Sequence, residues 1–168
     1  RGDLVVISSV SIYDDKGYAI VTRRDRSKVV ADFVEWFFEL TRENRKPLVW
    51  IFGHEPIRAQ PDMDTGRMRH KEDSLNAHAD WRDRFVALMR EHRVRAFICG
   101  HTHNASVTRV EGLWQLDAGH ARGLGDKGSP STFLKVRVQG TNAWVDVYRA
   151  DHTGTNYTLR TTVALATD

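Results

Sequence analysis

Two stretches decide the reading of this chain: Leu48-Val49-Trp50-Ile51-Phe52-Gly53-His54-Glu55-Pro56 and Ala96-Phe97-Ile98-Cys99-Gly100-His101-Thr102-His103. Each begins as an unbroken apolar run of the length of a strand, and each stops at Gly-His. A continuous apolar run, without the alternation of a half-exposed strand, is expected where a sheet is covered on both faces. Before the second run, Trp81, Phe85, Leu88, Met89 and His92 recur at helical spacing, with Asp80 placed to cap the helix N-terminus. Before the first, Val30, Phe33, Val34, Phe37 and Leu40 do the same, which predicts a helix from Lys28 to about Glu43. The chain therefore says helix, strand, Gly-His twice in succession, the rhythm of parallel α/β units.

Working outward, Leu4 to Val10 reads as a short buried strand and Gly17 to Thr22 as a second extended piece. Ile57 to His78 is long, polar and without apolar period, so it is expected to be a loop rather than an element, and loops of that length in compact domains usually serve function. After His103 the pattern turns to β. Ala105–Val110 and Leu113–Asp117 flank Glu111-Gly112, a two-residue turn signal, and Phe133–Val138, Ala143–Tyr148 and Tyr157–Ala166 follow as further strands. No repeat or linker divides the chain, so residues 1–168 are expected to form one domain, α/β with a β-rich C-terminal tail.

Composition narrows the function classes. Of 168 residues, 40 % are hydrophobic and 28 % charged, a globular balance that excludes disorder. Lys and Arg number 25 against 22 Asp and Glu, so the net charge of +3 gives no indication of nucleic acid as a partner. The basic runs Arg23, Arg24, Arg26, Lys28 and Arg90, Arg93, Arg95 are read as solvated surface. The single cysteine, Cys99, lies within an apolar run and is expected in the core, which rules out an internal disulfide and a cysteine-based zinc site. No apolar run approaches the roughly 18 to 20 residues of a membrane helix. Compartment is not legible, since a targeting signal would lie upstream of Arg1.

The chemistry rests on the Gly-His pairs. In open α/β sheets the carboxyl ends of the strands line the ligand crevice, so two neighbouring strands ending in Gly-His bring His54, His101 and His103 to one place. Glycine at 53 and 100 is expected to let the chain leave the sheet abruptly. Neutral imidazole is a common ligand for zinc and iron. One Gly-His alone is most simply a structural histidine; the conjunction of two, the second extended to Gly-His-Thr-His, points to a shared metal role. On the long loop, Arg58, Arg67, Arg69, His70 and Lys71 could meet phosphate oxygens, Arg being suited by its planar fork. Arg58, Arg69 and His70 are carried forward as substrate-binding, together with His120, a third Gly-His after a strand. His78, His92 and His152 read as structural or exposed.

In these motifs the sequence resembles the calcineurin-like metallophosphoesterases, whose last two motifs are Gly-His and Gly-His-x-His, and the order of elements follows that family over nearly the whole chain. The resemblance implies the C-terminal half of a four-layer α/β/β/α sandwich. It also implies a metal-dependent hydrolase of phosphate mono- or diesters with two divalent or trivalent ions (Zn, Fe or Mn). The positions of His54 and His101 would bind one ion and that of His103 the other. The family's upstream Gly-Asp-x-His, Gly-Asp-x-x-Asp and Gly-Asn-His-Asp/Glu motifs do not occur here; Gly2-Asp3-Leu4-Val5-Val6 satisfies neither aspartate pattern. The expectation is therefore a fragment whose N-terminal half lies upstream and which has little activity alone. The rival expectation is a noncatalytic binding or scaffold module built on the same half. A nucleotidyl-transfer site of the His-x-Gly-His type fails on order, because glycine here precedes both histidines.

Overall fold

A computed structural model describes residues 5–8, 49–72, 75–124, 126 and 128–166. The expected strand at 17–22 and helix at 28–43 lie outside the described residues, as does the basic run at 23–28.

Five strands form the main sheet: β1 (Val5–Ser8), β2 (Val49–Phe52), β3 (Val94–Cys99), β4 (Ala105–Val110) and β5 (Leu113–Ala118), in the order β1-β2-β3-β5-β4. All neighbours run parallel except β4, which returns antiparallel along β5. Helix α1 (Ala79–Glu91) covers one face, where Val49, Ile51 and Phe97 meet Phe85, Val86 and Met89. The opposite faces of the same strands present Trp50, Ala96 and Leu116 to a second sheet of β6 (Thr132–Gln139), β7 (Asn142–Ala150) and β8 (Tyr157–Ala164), whose Ala143 and Val145, with Leu165 just beyond, complete that layer. Successive side chains of a strand point to opposite faces, so a strand lying between two apolar layers must be apolar at every position. That is the physical content of the run Val49–Phe52. Full burial of one such side chain contributes roughly 1.5–3 kcal/mol.

The described architecture is mixed α/β with two sheets and one α-helix. The Glu111-Gly112 turn joins β4 and β5 with both residues at positive φ, 51° and 84°, the backbone a two-residue hairpin requires. Cys99 is buried, as expected of a core residue.

Three local expectations are corrected. Asp80 lies inside α1 rather than capping it, because a 3-10 turn at Leu75–His78 runs directly into the helix and supplies its entry. The segment 57–78 accordingly ends in an element, not a loop. Arg95 is not solvated: it is 8 % exposed. The register shifts between Val49 and Trp50, which pair with Val94 and Ala96, so Arg95 is an extra residue with no ladder partner. Its guanidinium donates to the carbonyls of Leu165 and Thr141 at 2.8 and 2.9 Å.

The long loop is pinned to the second sheet by a buried ion pair. Arg149 of β7 donates to both carboxylate oxygens of Asp62, at 3.0 and 2.8 Å. Burial pushes the Asp62 carboxyl up, but the bonds from Arg149, Ser129 and the backbone N–H groups of Ala105 and Thr65 outweigh it and hold the group well below the usual carboxylate range. This bond crosses from the loop after β2 to the last layer, and so fixes where the residues following Asp62 can lie.

Candidate metal centre

Gly53 and Gly100 follow the adjacent parallel strands β2 and β3, and the ladder continues past the strand ends. The Gly53 N–H donates to the Ile98 carbonyl at 2.8 Å, and the Gly100 N–H to the His54 carbonyl at 3.1 Å. The two Gly-His turns are thereby held side by side. His101 Nδ1 stands 3.1 Å from His54 Nε2, with the rings edge to face at 74° and their centroids 4.9 Å apart. His70, from the long loop, places its ring 4.5 Å from His101 and 6.2 Å from His103.

The glycines do not carry the unusual backbone. Neither Gly53 nor Gly100 has positive φ; His101 and His103 do, at 66° and 59°, and so does His70 at 54°. Left-handed backbone is unfavourable by roughly 1–2 kcal/mol for a residue with a side chain, and it persists only where surrounding bonds enforce it. Here the enforcing residue is Thr102. Its N–H donates to Gly100 O at 2.7 Å, its hydroxyl to Asp117 Oδ2 at 2.5 Å, and its Oγ1 accepts the Asn104 N–H at 3.1 Å. Asp117 is fully buried at the end of β5 and also accepts the Gly119 N–H at 3.0 Å. Burial raises its carboxyl pKa, the bonds from Thr102 and Gly119 offset only part of that, and the group is pushed up to about 7.

His103 is oriented by Asp126. Its Nδ1 lies 2.5 Å from Asp126 Oδ2. Arg69 Nη1 is 3.3 Å from the same nitrogen, and as an arginine only donates, the much shorter carboxylate contact decides the tautomer: Nδ1–H donates to Asp126 and Nε2 keeps its lone pair. Burial lowers the His103 pKa against the opposing pull of Asp126, so the ring is neutral near pH 7. Asp126 also receives Arg67 at 2.6 Å and Arg69 at 2.8 Å. Burial raises its pKa, but the hydrogen bonds from Arg67 and His103 and the two guanidinium charges prevail and hold it at about 2.

The structure brings His54 and His101 into contact, sets His103 two residues further along the same turn, and places Arg69 and His70 beside them. Arg58 and His120 are differently engaged. Arg58 faces the β4–β5 turn, donating to Glu111 at 2.6 Å, while its backbone N–H reaches Gln115. His120 is buried, its Nε2–H donating to the Ser129 carbonyl at 2.8 Å and its Nδ1 accepting the Arg122 N–H at 3.1 Å; its ring centroid is 6.1 Å from that of His103. Three carboxylates that shape the site were not singled out in the sequence: Asp62, Asp117 and Asp126. Only Asp117 carried a signal, as a charge near the end of a largely apolar strand.

One pair of these donors has the spacing that a shared transition-metal ion requires. Two nitrogens bound to one tetrahedral zinc at ~2.0–2.1 Å would lie about 3.3 Å apart, close to the 3.1 Å between His54 Nε2 and His101 Nδ1. A ligating histidine commonly donates its other ring N–H to a carboxylate, as His103 does. Among the described residues, no three His, Cys, Asp or Glu side chains converge tightly enough to form a complete site.

The fold and these histidine turns define a class, and sequence comparison agrees with it. The calcineurin-like phosphoesterase superfamily domain matches residues 24–141, and the chain belongs to that superfamily. Among solved structures, it is similar to GAP50, the anchor in the inner membrane complex of Plasmodium, with a TM-score of 0.61 and 11 % identity over 98 % of this chain. The match covers 49 % of the GAP50 chain, so this chain spans about half the length of that neighbour. Vps29 of Entamoeba histolytica in complex with Zn2+ matches at 13 % identity and a TM-score of 0.41, over 97 % of this chain and 99 % of its own. Vacuolar protein sorting 29 of Cryptosporidium parvum matches at 17 % identity and 0.40, over 97 % and 98 %. At 11 % identity the likeness to GAP50 shows the fold alone. No curated protein matches the sequence. Among the described residues, no helix is long and apolar enough to cross a membrane.

Proposed function

We propose that this chain supplies the histidine side of a two-metal phosphoester hydrolase: His54 and His101 hold one ion, and His103 the second. The observation that carries the reading is the pair of imidazole nitrogens facing each other at 3.1 Å across the ends of two parallel strands, in a chain of this superfamily. When bound, divalent ions of such a centre polarise the phosphoryl oxygens and lower the pKa of water. The protein's own residues do the rest. Asp126 holds His103 in the tautomer that presents Nε2, Thr102 and Asp117 hold both histidines of the turn in left-handed backbone, and Arg69 and His70 stand where a phosphate ester would approach.

The carboxylates needed to offset two cations are not in this set, because Asp126 is committed to Arg67, Arg69 and His103. In this proposal they come from the family's Gly-Asp motifs on the N-terminal half of a four-layer sandwich, of which this chain forms the C-terminal half. The test is hydrolysis of a chromogenic phosphodiester with added manganese or zinc, with and without that half. Activity that needs the added half and vanishes in His101→Ala supports the proposal; activity of this chain alone that survives His101→Ala refutes it.

A second reading is a noncatalytic module retaining a vestigial site. The absence of a converging third ligand among the described residues favours it, and a protein of this fold is named as an anchor. The same experiment separates the two, since a module stays inactive when the missing motifs are supplied.

A further inference from the structure

At the end of the main sheet opposite the histidines, the C-terminus of α1 and the β4–β5 hairpin enclose a cleft of about 510 Å³. Four arginines line it: Arg90 in the last turn of α1, Arg93 just beyond it, the buried Arg95, and Arg109 on β4. We propose that this cleft is a binding site for a compact polyanion carrying two or more adjacent phosphate groups.

Charge decides the ligand class. Among the described residues no carboxylate lies within ion-pair distance of Arg90, Arg93 or Arg95, although ion pairs are formed freely elsewhere, as at Arg58, Arg67 and Arg137. Arg95 sits on the carbonyls of Leu165 and Thr141 at 2.8 and 2.9 Å, which orient its guanidinium without neutralising it. Burial lowers its pKa in consequence. A buried cation facing a cleft without a counter-ion is the arrangement an anionic ligand relieves. The helix end works against an anion, but its partial charge of about half a unit is outweighed by several full guanidinium charges.

Shape narrows it further. Arg109 lies 4.9 Å over the Trp114 ring, and both Arg109 and the indole N–H donate to the Ala166 carbonyl, at 2.7 and 2.9 Å, so this wall is held rigid. Arg93, another lining residue, has φ 53°, which takes the chain out of the helix direction there. Planar guanidinium forks match phosphate oxygens in pairs, and the volume falls in the range of small-ligand pockets. One singly charged anion would leave most of the charge of Arg90, Arg93 and Arg95 unmatched; a chain of phosphates would not. The cleft is separated from the histidines by the length of β3, about 16 Å, so the two sites are distinct.

The phosphates could be those of a free oligophosphate or of a nucleotide. Calorimetric titration of the whole chain with inorganic triphosphate in one arm and ATP in the other, both with EDTA to silence the metal centre, distinguishes them. Saturable binding is expected in at least one arm, weakening as salt rises. Similar affinities mean that the phosphate chain alone is read, and markedly tighter ATP means that the nucleoside adds contacts. The Arg90→Ala/Arg93→Ala variant alters two exposed side chains and should fold; it should bind about tenfold more weakly or worse. His101→Ala should bind as the parent does. No saturable binding of either probe, binding that persists in the double arginine variant, or binding lost in His101→Ala would overturn the proposal.

Discussion

The Thr102 hydroxyl donates a 2.5 Å hydrogen bond to the buried carboxylate of Asp117, tying the middle of the Gly-His-Thr-His turn to the end of β5. On either side of it, His101 and His103 hold left-handed backbone. Thr102→Val keeps the shape and removes the hydroxyl, leaving Asp117 and the Asn104 N–H short of a partner. Stability to urea should fall by about 1–3 kcal/mol. Metal affinity should fall as well, because the turn that carries the two histidines loses its side-chain tie to β5, and Thr102→Ser should restore both.

Asp117 also predicts a pH dependence. Its carboxyl is pushed up to about 7 by burial, against about 3.9 in an unfolded chain. Between these values the folded protein binds more protons than the unfolded, so this group subtracts stability progressively as pH rises from about 4 to about 7, and the loss is constant above that. The full effect has an upper limit of about 4 kcal/mol at ~1.4 kcal/mol per pH unit. Asp117→Asn removes the titration and can still accept the Gly119 N–H. Denaturant midpoints across this range should show the variant gaining on the parent as pH rises; a constant gap would refute the account.

The Asp62–Arg149 pair is the opposite case. Asp62 is held below the usual carboxylate range, so its contribution is present above the unfolded pKa of about 3.9 and is lost as pH falls toward the folded value. Replacing Arg149 by Met strands a buried carboxylate and should destabilise by about 3–5 kcal/mol. Asp62→Asn should be milder, because Arg149 keeps Asp64 at 3.0 Å. In a double-mutant cycle the combined variant should be more stable than the sum of the two losses, and strict additivity would contradict a direct pair.

Asp126 acts through His103. Asp126→Asn can no longer enforce the tautomer that leaves Nε2 unprotonated, and Arg67 and Arg69 lose their shared carboxylate. Metal affinity measured by calorimetry should drop about 10–100-fold. The fold should be little changed, since Arg67 also donates to Asn104 Oδ1 at 3.0 Å and to the His103 carbonyl at 3.1 Å.

Much of this was legible in the sequence, and the reasons differ by element. Val49–Phe52 and Ala96–Cys99 declared themselves because a strand covered on both faces has no polar position to spare. Glu111-Gly112 declared the hairpin because its glycine, set between two strand-like runs, accepts the positive φ that a two-residue turn requires. Arg95 misled, since a bulge cannot be seen without the partner strand and a buried arginine held by carbonyls looks in sequence like any surface arginine. Glycine at 53 and 100 marked the ends of the strands correctly, but neither has positive φ; the left-handed residues of the second turn are His101 and His103. Asp62 and Asp126 carried no local signal: their partners lie 87 residues away at Arg149, and 59 and 57 residues away at Arg67 and Arg69. Such pairings are set by topology alone.

The most direct test of the central claim is a zinc titration of the chain followed through the imidazole nitrogen resonances. His54 Nε2, His101 Nδ1 and His103 Nε2 should shift on binding, with His54 and His101 moving together at the first equivalent, while both nitrogens of His120, already bonded within its own loop, stay in place. Zinc that leaves His54 and His101 unmoved, or that shifts them independently of each other, would contradict a shared ion at the ends of these two strands.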